Sequence, residues 1–163
     1  MADAFEGLTG TSRVAADAAA RGLAVEIIPR PRANSLTEAA ALLGVAPSGI
    51  VKTLVVGRHD GSFLLALVPG GRKISWPKLR ALVGVNRLAM PDPEVAKEAT
   101  GYERGTITPL GSAIAWPVFA DVTIVGQTIH LGSGEHGFSA RAEADDLIAA
   151  YGATVADITE LDE

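Results

Sequence analysis

The sequence predicts a mixed α/β fold of the α+β type, with a mixed, largely antiparallel sheet or a partly closed barrel flanked by helices. Two apolar strand patterns, residues 50–57 and 63–68, enclose His59-Asp60-Gly61, a turn typical of an antiparallel hairpin. The helical patterns stand apart instead of alternating regularly with strands, which argues against a βαβ array. With 48% hydrophobic and 20% charged residues, the chain is expected to form a single domain over residues 1–163.

The elements before the hairpin are marked by their end signals. An amphipathic pattern predicts a helix over Thr11–Arg21, ended by Gly22, and a short strand follows at Val25–Ile28 until Pro29.

The second predicted helix is the better defined. Ser35 and Glu38 have the spacing of a capping box, which predicts a helix over Leu36–Leu43 that Gly44 closes.

After the hairpin, Ser75 caps a predicted helix through Val83, and Asp92-Pro93 starts another that runs to about Ala99. The remaining predicted elements are short strands and one helix: a strand around Val118, strands at Val122–Val125 and Thr128–Leu131, and a helix at Ala144–Tyr151.

Charge is distributed unevenly along the chain. The net charge is -5, but residues 30–104 carry +5, against -2 for residues 1–29 and -8 for residues 105–163. Because local potential attracts phosphate more than net charge does, this pattern permits an anionic partner such as nucleic acid. Ordinary solvated faces with an acidic tail explain the same pattern.

Lys52 stands out in the first hairpin strand. Alternation along a strand places it on one face with Ile50, Leu54 and Val56, where an unpaired ammonium group is costly to bury. An edge position or a snorkelling side chain would explain it. The alternative is that this face lines a cleft in which the ammonium group meets a phosphate or an oxyanion.

A second unusual segment is the Gly/Pro-rich stretch from Gly101 to Gly111. Glycine permits positive φ or the close approach of a ligand, and proline fixes φ. Free amides in such a loop suit an ester carbonyl or its oxyanion, although many such segments only connect two elements.

Several familiar motifs fail. Gly132, Gly134 and Gly137 match G-x-G-x-x-G, but no helix is predicted to follow them. The spacing of His130, Glu135 and His136 does not support zinc, and the absence of cysteine excludes disulfides and thiolate ligands. We therefore expect neither a cofactor nor a metal.

The N-terminal segment, Met1 to Gly10, lacks the features of a signal peptide, and no apolar run has the length of a membrane span. The expected location is the cytoplasm, with no membrane partner.

Taken in order, five segments resemble the YbaK family of aminoacyl-tRNA deacylases, which is related to the editing domain of bacterial prolyl-tRNA synthetases. The resemblance runs from about Glu38 to Ile148. Its segments are Val51-Lys52-Thr53-Leu54-Val55-Val56, Leu65-Ala66-Leu67-Val68-Pro69, Met90-Pro91-Asp92-Pro93, Thr100-Gly101-Tyr102 and Gly105-Thr106-Ile107-Thr108-Pro109-Leu110-Gly111.

The resemblance implies a site and a reaction: hydrolysis of the ester between a wrong amino acid and the 3′-terminal adenosine of a tRNA, often that for proline. The first implied catalytic residue is Lys52, which matches the most important polar residue of the family. The others form the G-x-x-x-P loop, which the resemblance implies holds the substrate carbonyl and ribose: Gly105, Thr106, Ile107, Thr108 and Pro109. The implied substrate-binding residues are Leu36, Thr53, Gly111, Ser133, Gly134, His136 and Ser139.

The chain departs from the family at three places. Many members have a tyrosine near Leu36, Ser-Gly-Gly at Gly132-Ser133-Gly134, and an aspartate where this chain has Ser139. These departures leave the identity of the amino acid open.

The first expectation is therefore trans editing of tRNA for proline that carries a small amino acid such as alanine or cysteine. The expected partners are the tRNA acceptor end and an aminoacyl-tRNA synthetase, with the chain a monomer or homodimer. Two alternatives are compatible with the sequence: a non-catalytic tRNA- or synthetase-binding module of the same fold, and a small-ligand or metal hydrolase unrelated to tRNA.

Overall fold

The computed structural model describes residues 5–163, so the first four residues of the Met1–Gly10 segment lie outside the described residues. The helices in this range are α1 Gly10–Ala20, α2 Leu36–Leu43, α3 Trp76–Val83, α4 Pro93–Thr100 and α5 Ala144–Tyr151. The strands are β1 Glu26–Pro29, β2 Val51–Arg58, β3 Phe63–Pro69, β4 Arg72–Ile74, β5 Leu88–Ala89, β6 Val118–Asp121, β7 Thr128–Leu131, β8 Phe138–Glu143, β9 Thr154–Ala156 and β10 Thr159–Leu161. Within residues 5–163, no helix is long and apolar enough to cross a membrane.

The strands form a mixed, largely antiparallel architecture, as predicted. The largest sheet has the order β5-β2-β3-β6-β9, a second sheet has the order β1-β8-β7, and β10 pairs with β4. The β3–β6 and β6–β9 pairs are parallel, whereas the other strand pairs of the described residues are antiparallel.

The two larger sheets meet at the start of β2. A parallel bridge joins Ile50 to His130 of β7, and β5 pairs with β2 only at Gly57 and Arg58. Residues 51–56 therefore have no strand partner on this edge within the described structure. The result is a partly closed arrangement with a gap beside β2.

Both faces of the central hairpin are buried. Val51 and Val55 of β2 face one apolar cluster, to which α1, α4 and α5 also contribute side chains, while Val56 faces a second cluster around Leu79 of α3. β3 alternates between the same two clusters and is almost wholly buried. Apolar area removed from water at about 25 cal/mol per Å² makes these clusters the main stabilising contribution.

The turn and cap predictions are confirmed at the hairpin and at α2. Gly61 has φ 86°, and Asp60 accepts hydrogen bonds from the amide and hydroxyl of Ser62. Ser35 accepts from the Glu38 amide at 3.0 Å, whereas the Glu38 carboxylate accepts from the Asn34 amide instead of that of Ser35.

One predicted strand is wrong. Val122–Ile124 forms a single turn of 3-10 helix, because the Asp121 carboxylate accepts from the Thr123 amide and hydroxyl and so caps the turn. Val122 and Val125 are left exposed.

The largest element not predicted is β8. Its buried positions include Ala140 and Ala142, which alternate with exposed Arg141 and Glu143. The period is that of a strand, but alanine has a weak strand preference and its small side chain gives little apolar signal. The short strands β4, β5, β9 and β10 were also not predicted.

Candidate active site

A cavity of about 580 Å³ lies at the gap beside β2. Strand β2, the segment around Met90, helix α4, the loop at Gly105 and the β7–β8 connection all contribute to it. Its apolar lining residues are Ala39, Leu43, Ile50, Val51, Leu54, Val55, Met90, Pro91, Pro93, Ala96, Ile107, Leu131 and Phe138.

Lys52 lines this cavity. Its strand partner is fully buried Val68, and alternation places it on the face of Ile50 and Leu54, as the sequence predicts. Within residues 5–163, no acceptor lies within hydrogen-bond or ion-pair distance of the Lys52 ammonium. The charge is therefore available to an anionic or strongly polar ligand.

The charged lining of the cavity has one sign. Arg30 and Arg104 line it together with Lys52, and none of the described residues that line it is acidic. All three basic residues come from the positively charged middle of the sequence. A concave surface with this lining attracts phosphate and other anions.

The loop at Gly105 presents its backbone to the cavity. Gly105, which has φ 89°, and Ile107 line it, and the amides of both have no acceptor among the described residues. The Thr106 amide instead donates to the Glu103 carbonyl at 3.0 Å. The Thr106 amide is therefore already hydrogen-bonded within the loop, whereas the Gly105 and Ile107 amides are free to donate to a ligand.

The remaining loop residues shape the backbone. Thr108 is fully buried, and its hydroxyl accepts from the Leu110 amide at 3.2 Å. Pro109 is also buried. Neither residue lines the cavity.

The β7–β8 connection fits closely against this loop. A Cβ placed on Gly132 would lie 2.2 Å from the Ile107 carbonyl oxygen, so only glycine fits there without a backbone shift. The Gly134 amide donates to the Thr106 carbonyl at 3.0 Å. The glycines of the rejected G-x-G-x-x-G pattern thus serve a turn between two antiparallel strands.

The other predicted substrate-binding residues fall in different places. Thr53 and Ser139 line the cavity. Ser133 donates to the carbonyls of Glu135 and Phe138, inside the turn. Leu36 lies against Gly70 and does not line this cavity or the second cavity described below.

A second cavity of about 340 Å³ contains Thr106, Gly134 and His136. There Glu135 accepts from the amide and hydroxyl of Thr11 at the start of α1, and these hydrogen bonds lower the pKa of Glu135. His136 lies 3.6 Å from Glu103. Among residues 5–163, no group of three histidine or acidic side chains is arranged to hold a metal ion.

Gly111, at the end of the loop, is anchored to α1. The buried Asp17 carboxylate accepts from the Gly111 amide at 2.7 Å, from the Tyr151 hydroxyl at 2.6 Å and from Arg21 at 2.9 Å. Burial and the Asp17 contact raise the pKa of Tyr151. Arg13 donates to the Gly111 carbonyl from the other side.

Asp17→Ala is expected to lower the free energy of unfolding by about 3 kcal/mol, because it leaves buried donors without an acceptor. Urea denaturation measures the change. Glu98→Ala, at an exposed position, is the control and should stay within about 0.5 kcal/mol of the parent. A loss of under about 1 kcal/mol in Asp17→Ala would show that the network does not anchor the loop.

His130 was not predicted as a site residue. It lines the cavity and is 5% exposed, and its Nδ1 atom is buried without a hydrogen-bond partner among the described residues. Its strand neighbours Ile129 and Leu131 face the core, so alternation alone predicts a solvent-facing histidine. The bridge to Ile50 brings β2 against this face, and sequence periodicity does not reveal that contact.

The pKa of His130 is lowered, first by burial and then by nearby Arg141. Because the unfolded chain then binds a proton that the folded protein does not, stability is complete above the ordinary histidine pKa of about 6.5 and falls as the pH drops below it. The urea midpoint of the parent should therefore fall more steeply between pH 7 and 5 than that of His130→Phe. Parallel pH profiles would contradict this.

Comparison with known proteins places this site in a family. Residues 30–150 match the model of the aminoacyl-tRNA editing domain. The chain is 36% identical over 99 residues to a proline–tRNA ligase of Nitratidesulfovibrio vulgaris, which covers 61% of the chain and 17% of the ligase. It is 37% identical over 105 residues to the ligase of Maridesulfovibrio salexigens, covering 64% and 18% respectively. The chain thus spans less than a fifth of the length of these relatives.

Solved structures match over a much larger share of their length. A candidate trans-editing enzyme for prolyl-tRNA synthetase superposes with a TM-score of 0.85 at 30% identity, over 92% of this chain and 96% of that one. A hypothetical protein superposes with a TM-score of 0.85 at 28% identity, over 91% and 99%. With the family model matched over most of its length, the chain belongs to the aminoacyl-tRNA editing domain family.

Proposed function

We propose that this chain is an aminoacyl-tRNA deacylase that acts in trans. Its proposed substrate is tRNA for proline carrying a small amino acid such as alanine or cysteine, and its products are the free amino acid and tRNA. The observation that carries the proposal is the cavity beside β2, where an unpaired lysine and two free loop amides occur together in a basic, partly apolar concave site.

Hydrolysis of an aminoacyl ester requires few catalytic groups from the protein. An aminoacyl ester is already activated, so catalysis requires an oriented water and a stabilised oxyanion. The Gly105 and Ile107 amides are the proposed donors to the carbonyl oxygen. Lys52 is proposed to contact the terminal phosphate or the ribose oxygens.

The attacking water has no carboxylate base in the cavity, since none of the described lining residues is acidic. The free 2′- or 3′-hydroxyl of the tRNA itself is therefore the proposed group that positions or activates the water. Selection among amino acids is proposed to follow size, because a small, partly apolar pocket rejects a larger side chain more strongly than a smaller one.

Release of free amino acid from a panel of mischarged tRNAs tests the proposal. The opening set is tRNA for proline charged with alanine, cysteine or serine, with correctly charged prolyl-tRNA as the control. Hydrolysis of at least one mischarged member, with prolyl-tRNA spared, is expected. Tight tRNA binding without release of any amino acid would instead identify a non-catalytic binding module.

Arg104→Ala is expected to weaken tRNA binding and to reduce the slope of log K against log salt by about 1, as loss of one phosphate contact does. Arg87→Ala, at an exposed position outside the cavity, is the matched control and should leave the slope unchanged. Titration of tRNA at several salt concentrations measures both. Equal slopes in the two variants would remove Arg104 from the tRNA-binding surface.

A further inference from the structure

Two residues that line the cavity each carry a buried polar atom with unmet hydrogen-bonding capacity. Thr53 Oγ1 and His130 Nδ1 are the buried side-chain polar atoms without a hydrogen-bond partner among the described residues, and both residues line the same cavity. Thr53 is 7% and His130 is 5% exposed. A buried polar group without a partner costs about 1 to 3 kcal/mol, so its retention at a concave site points to a ligand that completes the bond.

The position of His130 relative to Lys52 follows from the strand pairing. A parallel bridge pairs His130 with Ile50, and paired residues point their side chains to the same face. Ile50 shares its face with Lys52 two residues later, so His130 and Lys52 lie on one face. Thr53 lies on the opposite face of β2 and lines the cavity from that side of the unpaired strand edge. Gly132 lies two residues after His130, against the carbonyl of Ile107.

The imidazole is a different kind of group from the basic residues around it. Burial and Arg141 lower the pKa of His130, while Glu26, which pairs with Arg141 at 2.6 Å, opposes the effect of that arginine. At neutral pH the ring is therefore uncharged, and an uncharged imidazole has one acceptor nitrogen. Arg30, Lys52 and Arg104 only donate, so His130 and Thr53 supply the acceptors that the basic residues lack.

At the aminoacyl end of a charged tRNA, the exocyclic amino group of the terminal adenine and the α-amino group of the amino acid are N–H donors. Of these two, the α-amino group adjoins the ester carbonyl that the Gly105 and Ile107 amides are proposed to bind, and the turn that follows His130 packs against that same loop. The phosphates, ester carbonyl and ribose oxygens of the tRNA end can all accept hydrogen bonds, whereas the α-amino group donates N–H bonds in either protonation state. Rotation of Thr53 about χ1 or of His130 about χ2 is the movement by which the two atoms would reach it.

We propose that His130, with Thr53, is the specificity-determining pair that binds the α-amino group of the aminoacyl moiety. This inference rests on the proposed function for the identity of the ligand. Binding of the α-amino group by this pair would distinguish aminoacyl esters from other acyl esters of the same size. Sites whose buried polar groups require a partner reject analogues that lack it more strongly than apolar sites do.

Binding of two stable amide analogues tests the proposal without hydrolysis. The probes are 3′-(L-alanylamino)-3′-deoxyadenosine and its 3′-propionylamino counterpart, which lacks only the α-amino group. Calorimetry with the parent protein should show the alanyl analogue binding about 10- to 100-fold more tightly. His130→Phe should reduce this ratio to near one, and Thr53→Val should reduce it partly, while His130→Asn, which keeps an acceptor near the Nδ1 position, should retain part of it.

A merely structural role for His130 would weaken both analogues equally and leave the ratio unchanged. His59→Phe, in the exposed β2–β3 turn, is the control and should keep the parent ratio. Should His130→Phe fail to fold, Thr53→Val and His130→Asn still test the ratio.

Equal binding of the two analogues by the parent, or failure to bind either, would overturn the inference. A binding ratio without deacylation would refute the proposed function alone, and deacylation with a ratio of one would refute this inference alone.

Discussion

Lys52→Ala is expected to lower kcat/KM for deacylation of mischarged tRNA by about 100-fold or more, the effect of removing one charged or hydrogen-bonding group from a preorganised site. The fold should persist, because the ammonium group has no partner among the described residues whose loss would destabilise the protein. We expect the free energy of unfolding to stay within about 1 kcal/mol of the parent. Single-turnover hydrolysis and urea denaturation measure the two quantities.

The matched control for Lys52 is Lys73→Ala. Lys73 lies on β4, half exposed, 3.8 Å from Glu160 and away from the cavity. Lys73→Ala removes the same charge as Lys52→Ala. Its deacylation rate should remain within about twofold of the parent rate, because exposed ion pairs contribute little. An undiminished rate in Lys52→Ala on every mischarged tRNA that the parent hydrolyses would remove Lys52 from the catalytic residues. A comparable loss in both variants would attribute the effect to general electrostatic attraction.

Gly132→Ala is expected to have the second largest effect, because the new methyl group would lie 2.2 Å from the Ile107 carbonyl oxygen and 2.8 Å from that of Thr106. Both neighbours are backbone, so the loop must move. Displacing reacting groups by about 1 Å can reduce a rate about 100-fold, and overpacking costs about 1 to 3 kcal/mol of stability. We expect losses of this size in deacylation and in the free energy of unfolding.

Gly49→Ala provides a control for the loss of a glycine. A Cβ at Gly49 would lie 3.6 Å from the Val45 side chain, an ordinary contact, and neither glycine has a positive φ. Gly49→Ala should therefore keep both activity and stability. If Gly132→Ala behaves like this control, the close packing of the β7–β8 connection against the loop does not determine the site geometry.

Strong local signals explain why much of the fold could be predicted. Helix α2 has the predicted bounds because Ser35 and Gly44 mark its two ends, and the hairpin follows from long apolar strands around one polar turn. Strand β8 could not be predicted in the same way, since alanine at its buried positions carries little signal. The error at Val122–Val125 arose because the capping role of Asp121 outweighs the strand preference of valine.

At the site, Lys52 could be predicted from the sequence because a charged residue on an apolar strand face is conspicuous. His130 could not be predicted as a site residue, because its burial depends on a bridge between two sheets whose strands are distant in sequence. The sequence also does not distinguish the Thr106 amide, which is already hydrogen-bonded, from the free amides of Gly105 and Ile107. Such distinctions depend on tertiary contacts that residue order alone does not specify.

The proposed activity of this chain is the removal of a wrong small amino acid from tRNA for proline. The most direct measurement is the rate at which the parent protein releases alanine from alanyl-tRNA for proline, compared in parallel with release of proline from the correctly charged tRNA. We expect alanine release to be accelerated well above the spontaneous rate and prolyl-tRNA to be spared. Equal rates for the two esters, or no acceleration of release for alanine, cysteine or serine, would contradict it.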